Sequence, residues 1–268
     1  MSTSDSCSVT ACRAEWDAKY KVVVLPPRTF ARGLTKVLYS LFSPEFAISR
    51  VMQKLPRRRR KHGRAVGNLV DDELSRWVRD PSYQGSTRFA AVRRALTEKG
   101  WRPFRAQVPV GCSRMRLGTR VDLVCLDRKN RLIIVELKTG FDDYFYTRLG
   151  NMRSPFEQVP ISCYARACLQ LAVTTWLWEH APPAGFKDRT VAGSYLVRVF
   201  SDPDTEPLGA PSVEILPLPA WTRQPESCLQ ACIDKLVASR HQTKRQRSRE
   251  LKNGSARVRR RRKTYSLA

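Results

Sequence analysis

The chain reads as an α/β protein, and three observations lead there. Segments with a helical apolar period alternate with short runs rich in branched apolar residues. Three of those runs follow one another in the middle of the chain, with helical segments on either side. Hydrophobic residues make up 42% of 268 residues, enough to fill the interior of one sizeable domain.

Residues 1–18 are rich in Ser, Thr and Cys and are expected to be loose. In 28–55, Phe30, Leu34, Val37, Leu38 and Leu41 recur at helical spacing among basic residues. That spacing predicts a short helix docked on the core; a membrane-surface or organelle-targeting helix is the alternative. The basic run Arg57 to Lys61 is expected to be a solvated face or linker. It leads into a predicted amphipathic helix over 63–78, with Val66, Leu69, Val70, Leu74, Trp77 and Val78 on its buried side. A second helix is predicted over 86–99.

Strands are predicted at 102–110, 120–126 and 131–138, the last two joined by a tight turn at 127–130. Residues 154–180 end in a strongly apolar helix stopped by Pro182 and Pro183. A fourth strand follows at 194–200. A short strand at 213–219 contains proline and so belongs at a sheet edge. A last helix is expected over 225–239. Residues 240–268 hold 12 Lys or Arg and a single acid, Glu250, and read as a disordered basic tail. The organisation is therefore an extension (1–55), a central domain (56–222), a helix (223–239) and a tail (240–268).

A net charge of +25 calls for an anionic partner, and nucleic acid is the commonest one. No run approaches the ~18 apolar residues of a membrane span. Eight cysteines form no CxxC pair, and the three histidines lie far from them, which argues against a zinc finger. Without an apolar leader near the N-terminus, an intracellular setting with reduced thiols is expected. The basic cluster Arg257, Arg259 to Arg262 and Lys263 suggests the nucleus, with mitochondria as the alternative.

One constellation carries chemistry. Glu136 and Lys138 are two apart on one strand and so share a face. They end a buried run, Leu132 to Val135, which is poor design for a bare surface. If the turn centres near 128–130, Asp122 on the partner strand lies opposite Glu136, at a Cβ separation of ~4.5–5.5 Å. Two carboxylates so placed can share one divalent cation, and a lysine beside them can orient water or stabilise phosphate charge.

The sequence Val121–Asp122, then Glu136–Leu137–Lys138–Thr139–Gly140, resembles the PD-(D/E)xK nuclease superfamily, closest to its RecB-like and lambda-exonuclease-like branches. Val121 stands where the name-giving motif has proline. Gly67, Asp71 and Leu74 resemble the first-helix pattern of those branches. The resemblance spans roughly 60–200. It implies a restriction-endonuclease-like αβββαβ core with a central mixed sheet flanked by helices, and hydrolysis of DNA phosphodiesters, endo or exo. It implies Mg²⁺ or Mn²⁺ held by Asp71, Asp122, Glu136 and the carbonyl of Leu137. Helical geometry puts Asp71 and Leu74 on neighbouring faces, while Asp72 and Glu73 point progressively away; Asp71 is preferred, then Glu73. Lys138 would assist water attack. A glutamine on the following helix would complete the site, as Gln170 or as Gln158.

Expected DNA contacts are Arg114, Arg116 and Arg120 between the first two strands, and Tyr144, Arg148 and Arg153 after the third. The rival from another class is a non-catalytic basic protein that binds nucleic acid on the same fold.

Overall fold

The computed structural model describes residues 14–26, 29–43, 57–140, 145–200, 211–222 and 229–238. In chain order the elements begin with β1 (Glu15–Asp17), β2 (Val22–Leu25), β3 (Thr29–Phe30), β4 (Arg32–Gly33) and α1 (Leu34–Phe42). Next come α2 (Arg57–Arg79), α3 (Thr87–Glu98), β5 (Arg102–Cys112), β6 (Leu117–Leu126) and β7 (Leu132–Gly140). Then follow α4 (Cys163–His180), β8 (Val191–Phe200), β9 (Val213–Pro217) and a last helix, α5, over residues 229–238. The fold is mixed α/β, with helices on both faces of a six-stranded mixed sheet.

The three central runs form an antiparallel meander, β5–β6–β7. Its β6–β7 turn is closed by Asp127, whose Oδ1 accepts from the Lys129 and Arg131 amides at 2.9 and 2.8 Å. Asn130 takes φ 57°, a left-handed conformation that asparagine tolerates. From β7 the chain crosses through α4 to β8, which pairs with β7 in parallel. Strand β9 then pairs antiparallel at the edge, with Pro217 at its end.

Helices α2 and α3 cover one face through Val66, Val70, Leu74, Trp77, Phe89 and Val92. Helix α4 covers the other. It is apolar nearly all round because it is buried on both sides. Ala167, Cys168 and Leu171 meet the sheet, whereas Leu169, Val173 and Leu177 meet α1 and α5.

Several expectations shift. Leu69 is 44% exposed rather than buried. The core stripe of α2 is set by Val66, Val70, Leu74 and Trp77, and Leu69 lies about 100° around the helix from Val70, its neighbour in sequence. The run at 57–61 is the start of α2, not a linker. Among the described residues of the region 28–55, a helix covers Leu34–Phe42, buried through Leu34, Leu38 and Phe42. Phe30 is in a strand and 53% exposed. Residues 44–56 and the tail 240–268 lie outside the described residues.

The N-terminal segment is built into the sheet. Strands β1–β3 form a small antiparallel sheet. Strand β4 pairs in parallel with Leu117–Gly118 at the start of β6. Since β5 runs along one whole edge of β6, β4 and β7 share the other edge at opposite ends. Residues 119–122 lie in the gap between them.

Candidate active site

The gap beside β6 is where the predicted residues gather. The β6–β7 ladder stops at Leu123↔Val135. One step further would place Asp122 opposite Glu136, as the turn position predicts. There the strands part, and the Leu137 amide donates instead to Asp122 Oδ2 at 2.8 Å. The N–H and C=O of a strand residue face the same neighbour. The Leu137 carbonyl therefore faces the opened gap as well.

A cavity of about 280 Å³ occupies this place, with Asp71, Asp122, Glu136, Gln170, Gln107 and Arg120 among its lining residues. Glu136 is buried, 3% exposed. Its Oε1 accepts from Lys138 Nζ at 2.5 Å and from Gln170 Nε2 at 2.6 Å. Gln170 therefore reaches Glu136, while Gln158 is exposed.

Helix α2 delivers Asp71. Thr139 Oγ1 donates to the Gly63 carbonyl at 3.2 Å, and a Cβ on Gly67 would stand 2.9 Å from Thr139 Oγ1. The helix is thus seated directly on the end of β7, which accounts for both Gly67 and Thr139. One turn beyond Gly67, Asp71 reaches the cavity. Glu73 does not. Two residues along a helix is about 200° around it, and Glu73 faces α3 instead. Its Oε1 accepts from the Ser86 amide at 2.6 Å and its Oε2 from Ser86 Oγ at 2.8 Å. Ser86 in turn caps α3 by accepting from the Phe89 amide. Glu73 is a helix anchor, and Asp72 is exposed.

The electrostatics are unusual for carboxylates. Burial first, then Asp122, push Asp71 up to about 7. Burial and Asp122 likewise raise Glu136 to about 7. Asp122 is itself raised by burial, against the pull of Lys138 and the Leu137 amide. Burial works against the Lys138 charge, but Glu136 and Asp122 outweigh it, so the ammonium is held more firmly than usual. Three mutually repelling carboxylates with one lysine and one arginine near them form a site that a cation would relieve.

Among the described residues, no three His, Cys, Asp or Glu side chains stand as a closed ligand group. Each of the two strand carboxylates is drawn to an internal N–H donor. The donor set is nevertheless of the right kind for Mg²⁺ or Mn²⁺. It offers hard oxygens around one small cavity, and Mg²⁺ needs only one or two carboxylates beside its waters.

The expected DNA contacts divide. Arg120 lines the cavity, with its guanidinium 3.8 Å from the Trp16 ring centroid. Arg114 and Arg116 are exposed on the β5–β6 turn, which is tied to the N-terminal segment through Arg32 N to Arg116 O at 2.7 Å. No residue of 110–117 lines the cavity, so that turn does not overhang the carboxylates. Arg148 and Arg153 are exposed away from it. Tyr144, with Phe141, Asp142 and Asp143, lies outside the described residues. Phe145 is buried beneath Arg198, its ring centroid 4.4 Å from the guanidinium, so it caps the core and is closed to a base.

Sequence reasoning missed four neighbours. Gln107 on β5 has φ 54°, and its side chain lies within hydrogen-bonding reach of Asp122 and favours its charged form. Its place opposite Asp122 in the β5–β6 register makes it part of the cavity wall. Tyr39 on α1 lies beside Lys138 and Glu136, and Arg166 stands 3.1 Å over its ring. Only the one-turn spacing of Arg166 and Gln170 on α4 could have signalled that pair. Trp16, in a segment expected to be loose, gave no signal.

No protein-family model matches this chain, and no curated protein sequence does. No described helix is long and apolar enough to cross a membrane.

Proposed function

We propose that the chain is a metal-dependent nuclease that hydrolyses DNA phosphodiester bonds on a restriction-endonuclease-like αβββαβ core. The observation that carries this reading is the gathering of Asp71, Asp122, Glu136 and Gln170 in one cavity at a splayed strand end, with Lys138 held against Glu136. A structural ion pair needs one acid and one base; here buried acids outnumber the bases that touch them. The order α2, α3, β5, β6, β7, α4, β8 supports the core assignment, as does the Glu136–Gly140 strand end.

Asp71, Asp122, Glu136 and the Leu137 carbonyl would hold Mg²⁺ or Mn²⁺. Such a cation, when bound, acidifies water and offsets charge on the phosphate. Lys138 keeps its proton and presents the ammonium to the attacking water or to the phosphate oxygens. Gln170 fixes the Glu136 carboxylate by donating to Oε1. Arg120 offers a guanidinium to the phosphate from the cavity wall. The basic segment 257–263 fits a nuclear location, which imaging of the full chain against one lacking that segment would test.

The decisive assay incubates purified full-length protein with linear, circular and single-stranded DNA in Mg²⁺ and in chelator. Cutting that requires the cation, and is lost in Glu136→Ala and Lys138→Ala, is the expected result. Cutting by both variants at the wild-type rate would rule out this site.

A further inference from the structure

The N-terminal segment does more than extend the sheet. It supplies one wall of the cavity through Trp16, Lys21, Val23, Ala31 and Gly33. The carboxylates on the other wall come from α2, β6 and β7. The segment is fixed in place by close backbone approach. A Cβ on Gly118 would stand 2.8 Å from Val23 Cβ and 2.9 Å from Ala31 Cβ. A Cβ on Gly111 would stand 2.7 Å from Leu25 Cδ2. Strand β4 is hydrogen-bonded to β6, and Ser113 Oγ donates to the Pro26 carbonyl at 3.0 Å. A wall held this way is not a loose flap.

Two features bear on what can enter. At about 280 Å³ the cavity falls just below the ~300–1,000 Å³ usual for a ligand site, which suits one nucleotide-sized group. A duplex would have to bring its second backbone along, across a groove of roughly 6–12 Å. The β1–β4 segment lines the same cavity as the carboxylates and takes up space that a second backbone would need. The charges are also placed for one strand. Lys21 and Arg120 both line the cavity, and the Trp16 ring holds the Arg120 guanidinium. A cationic groove with an aromatic ring at its edge is the usual chemistry of single-strand binding.

We infer that this is a single-strand site: one unpaired stretch of DNA reaches Asp71, Asp122 and Glu136, and Trp16 acts as a positioning residue that holds Arg120 against its phosphate. This rests on the nuclease reading for the chemistry at the carboxylates, but not for the binding.

The test has a binding arm and a cutting arm, both on the full-length protein. In the binding arm, a strand carrying 5-iodouracil is irradiated with the protein in chelator, free or annealed to its complement, and the cross-linked peptides are mapped by mass spectrometry. The free strand should attach within residues 14–35 and the duplex should not. Equal attachment of the duplex there, or no attachment of the free strand there, overturns the inference. In the cutting arm with Mg²⁺, single strands and frayed ends should be cut at least about ten-fold faster than a blunt duplex. Trp16→Ala should raise KM for the single strand about ten-fold with little change in kcat, and Trp16→Phe should restore it. Equal KM for Trp16→Ala and wild type, with both folded by circular dichroism, removes the role given to Trp16. If nothing is cut while the free strand still attaches at 14–35, the nuclease reading fails and the single-strand site stands. If single strand and duplex are cut alike, the nuclease reading stands and the single-strand site fails.

Discussion

The two ends of the β6–β7 hairpin carry the same kinds of side chain and behave in opposite ways. At the turn, Asp127 meets Arg131 through Nε at 2.8 Å and Nη2 at 2.7 Å and accepts two backbone amides. Slight burial pushes its pKa up, but the Arg131 and Lys129 hydrogen bonds outweigh this and hold the carboxyl below its ordinary range. At the other end, Glu136 meets Lys138; burial holds the carboxyls of both Asp122 and Glu136 high, and Asp122 raises Glu136 further. One end is a satisfied ion pair that closes a turn. The other keeps charge that the fold does not neutralise, which is the mark of a site built for something outside the chain.

The largest expected effect breaks the comparison directly. Glu136→Ala or Lys138→Ala should lower the rate of cutting by at least about 10²–10³-fold, whereas Asp127→Ala should leave it unchanged. A rate that falls equally for Asp127→Ala would mean that the hairpin as a whole, and not its open end, is what matters.

Next in size is the contrast on α2. Asp71→Asn should reduce cutting about 10²-fold with little loss of stability. Glu73→Gln should do the reverse, costing about 1–3 kcal/mol of stability by weakening the anchor of α3. Rates and denaturant melts on the two variants would show the exchange; the opposite pattern would make Glu73 the functional acid.

Gln170→Leu should cost about ten-fold in rate. Removing a donor to Glu136 disfavours its ionised form, so the acid limb of the pH–rate profile should move up as well. A drop in rate with an unmoved profile would leave Gln170 as packing only.

The smallest effect is on pH-dependent stability. Asp71 and Glu136 have ordinary values of 3.8 and 4.5 and are raised to about 7 in the fold. Raised acids contribute stability that is fully present below the ordinary values and is lost as pH rises through about 7. The cation-free protein should therefore melt at a lower temperature at pH 8 than at pH 6, and Mg²⁺ should restore the difference. Asp127, held low, works in the other direction and only in acid: its contribution is lost as pH falls through its folded value. A melting temperature that rises from pH 6 to pH 8 in chelator would contradict the raised carboxyls of the open end.

Much of the frame was legible because local chemistry sets it. The apolar runs of β6 and β7, and Asp127 and Asn130 between them, determine a hairpin whose register brings Asp122 toward Glu136. The apolar stripe of α2 and the prolines after α4 set those helices with little help from the rest of the chain. Side chains whose role depends on a distant partner were harder to read. Glu73 looked like a rival ligand until Ser86 was found to hold it.

By itself the sequence determined the element order, the hairpin and the acids that end it, since periodicity, turn residues and strand alternation act over a few neighbours. Tertiary structure decided how the hairpin end is used. It chose Asp71 over Glu73, because helical rotation separates them by about half a turn and only packing says which side faces the sheet. It brought Gln170 rather than Gln158 to Glu136, because Gln170 is on α4, which packs on the sheet, and Gln158 is on the exposed segment before it. It also placed Trp16 and Lys21 across the cavity from residues a hundred positions later, through close contacts at Gly111 and Gly118. Contacts of that span leave no periodic trace in a sequence, and they decide what the open end of the hairpin can receive.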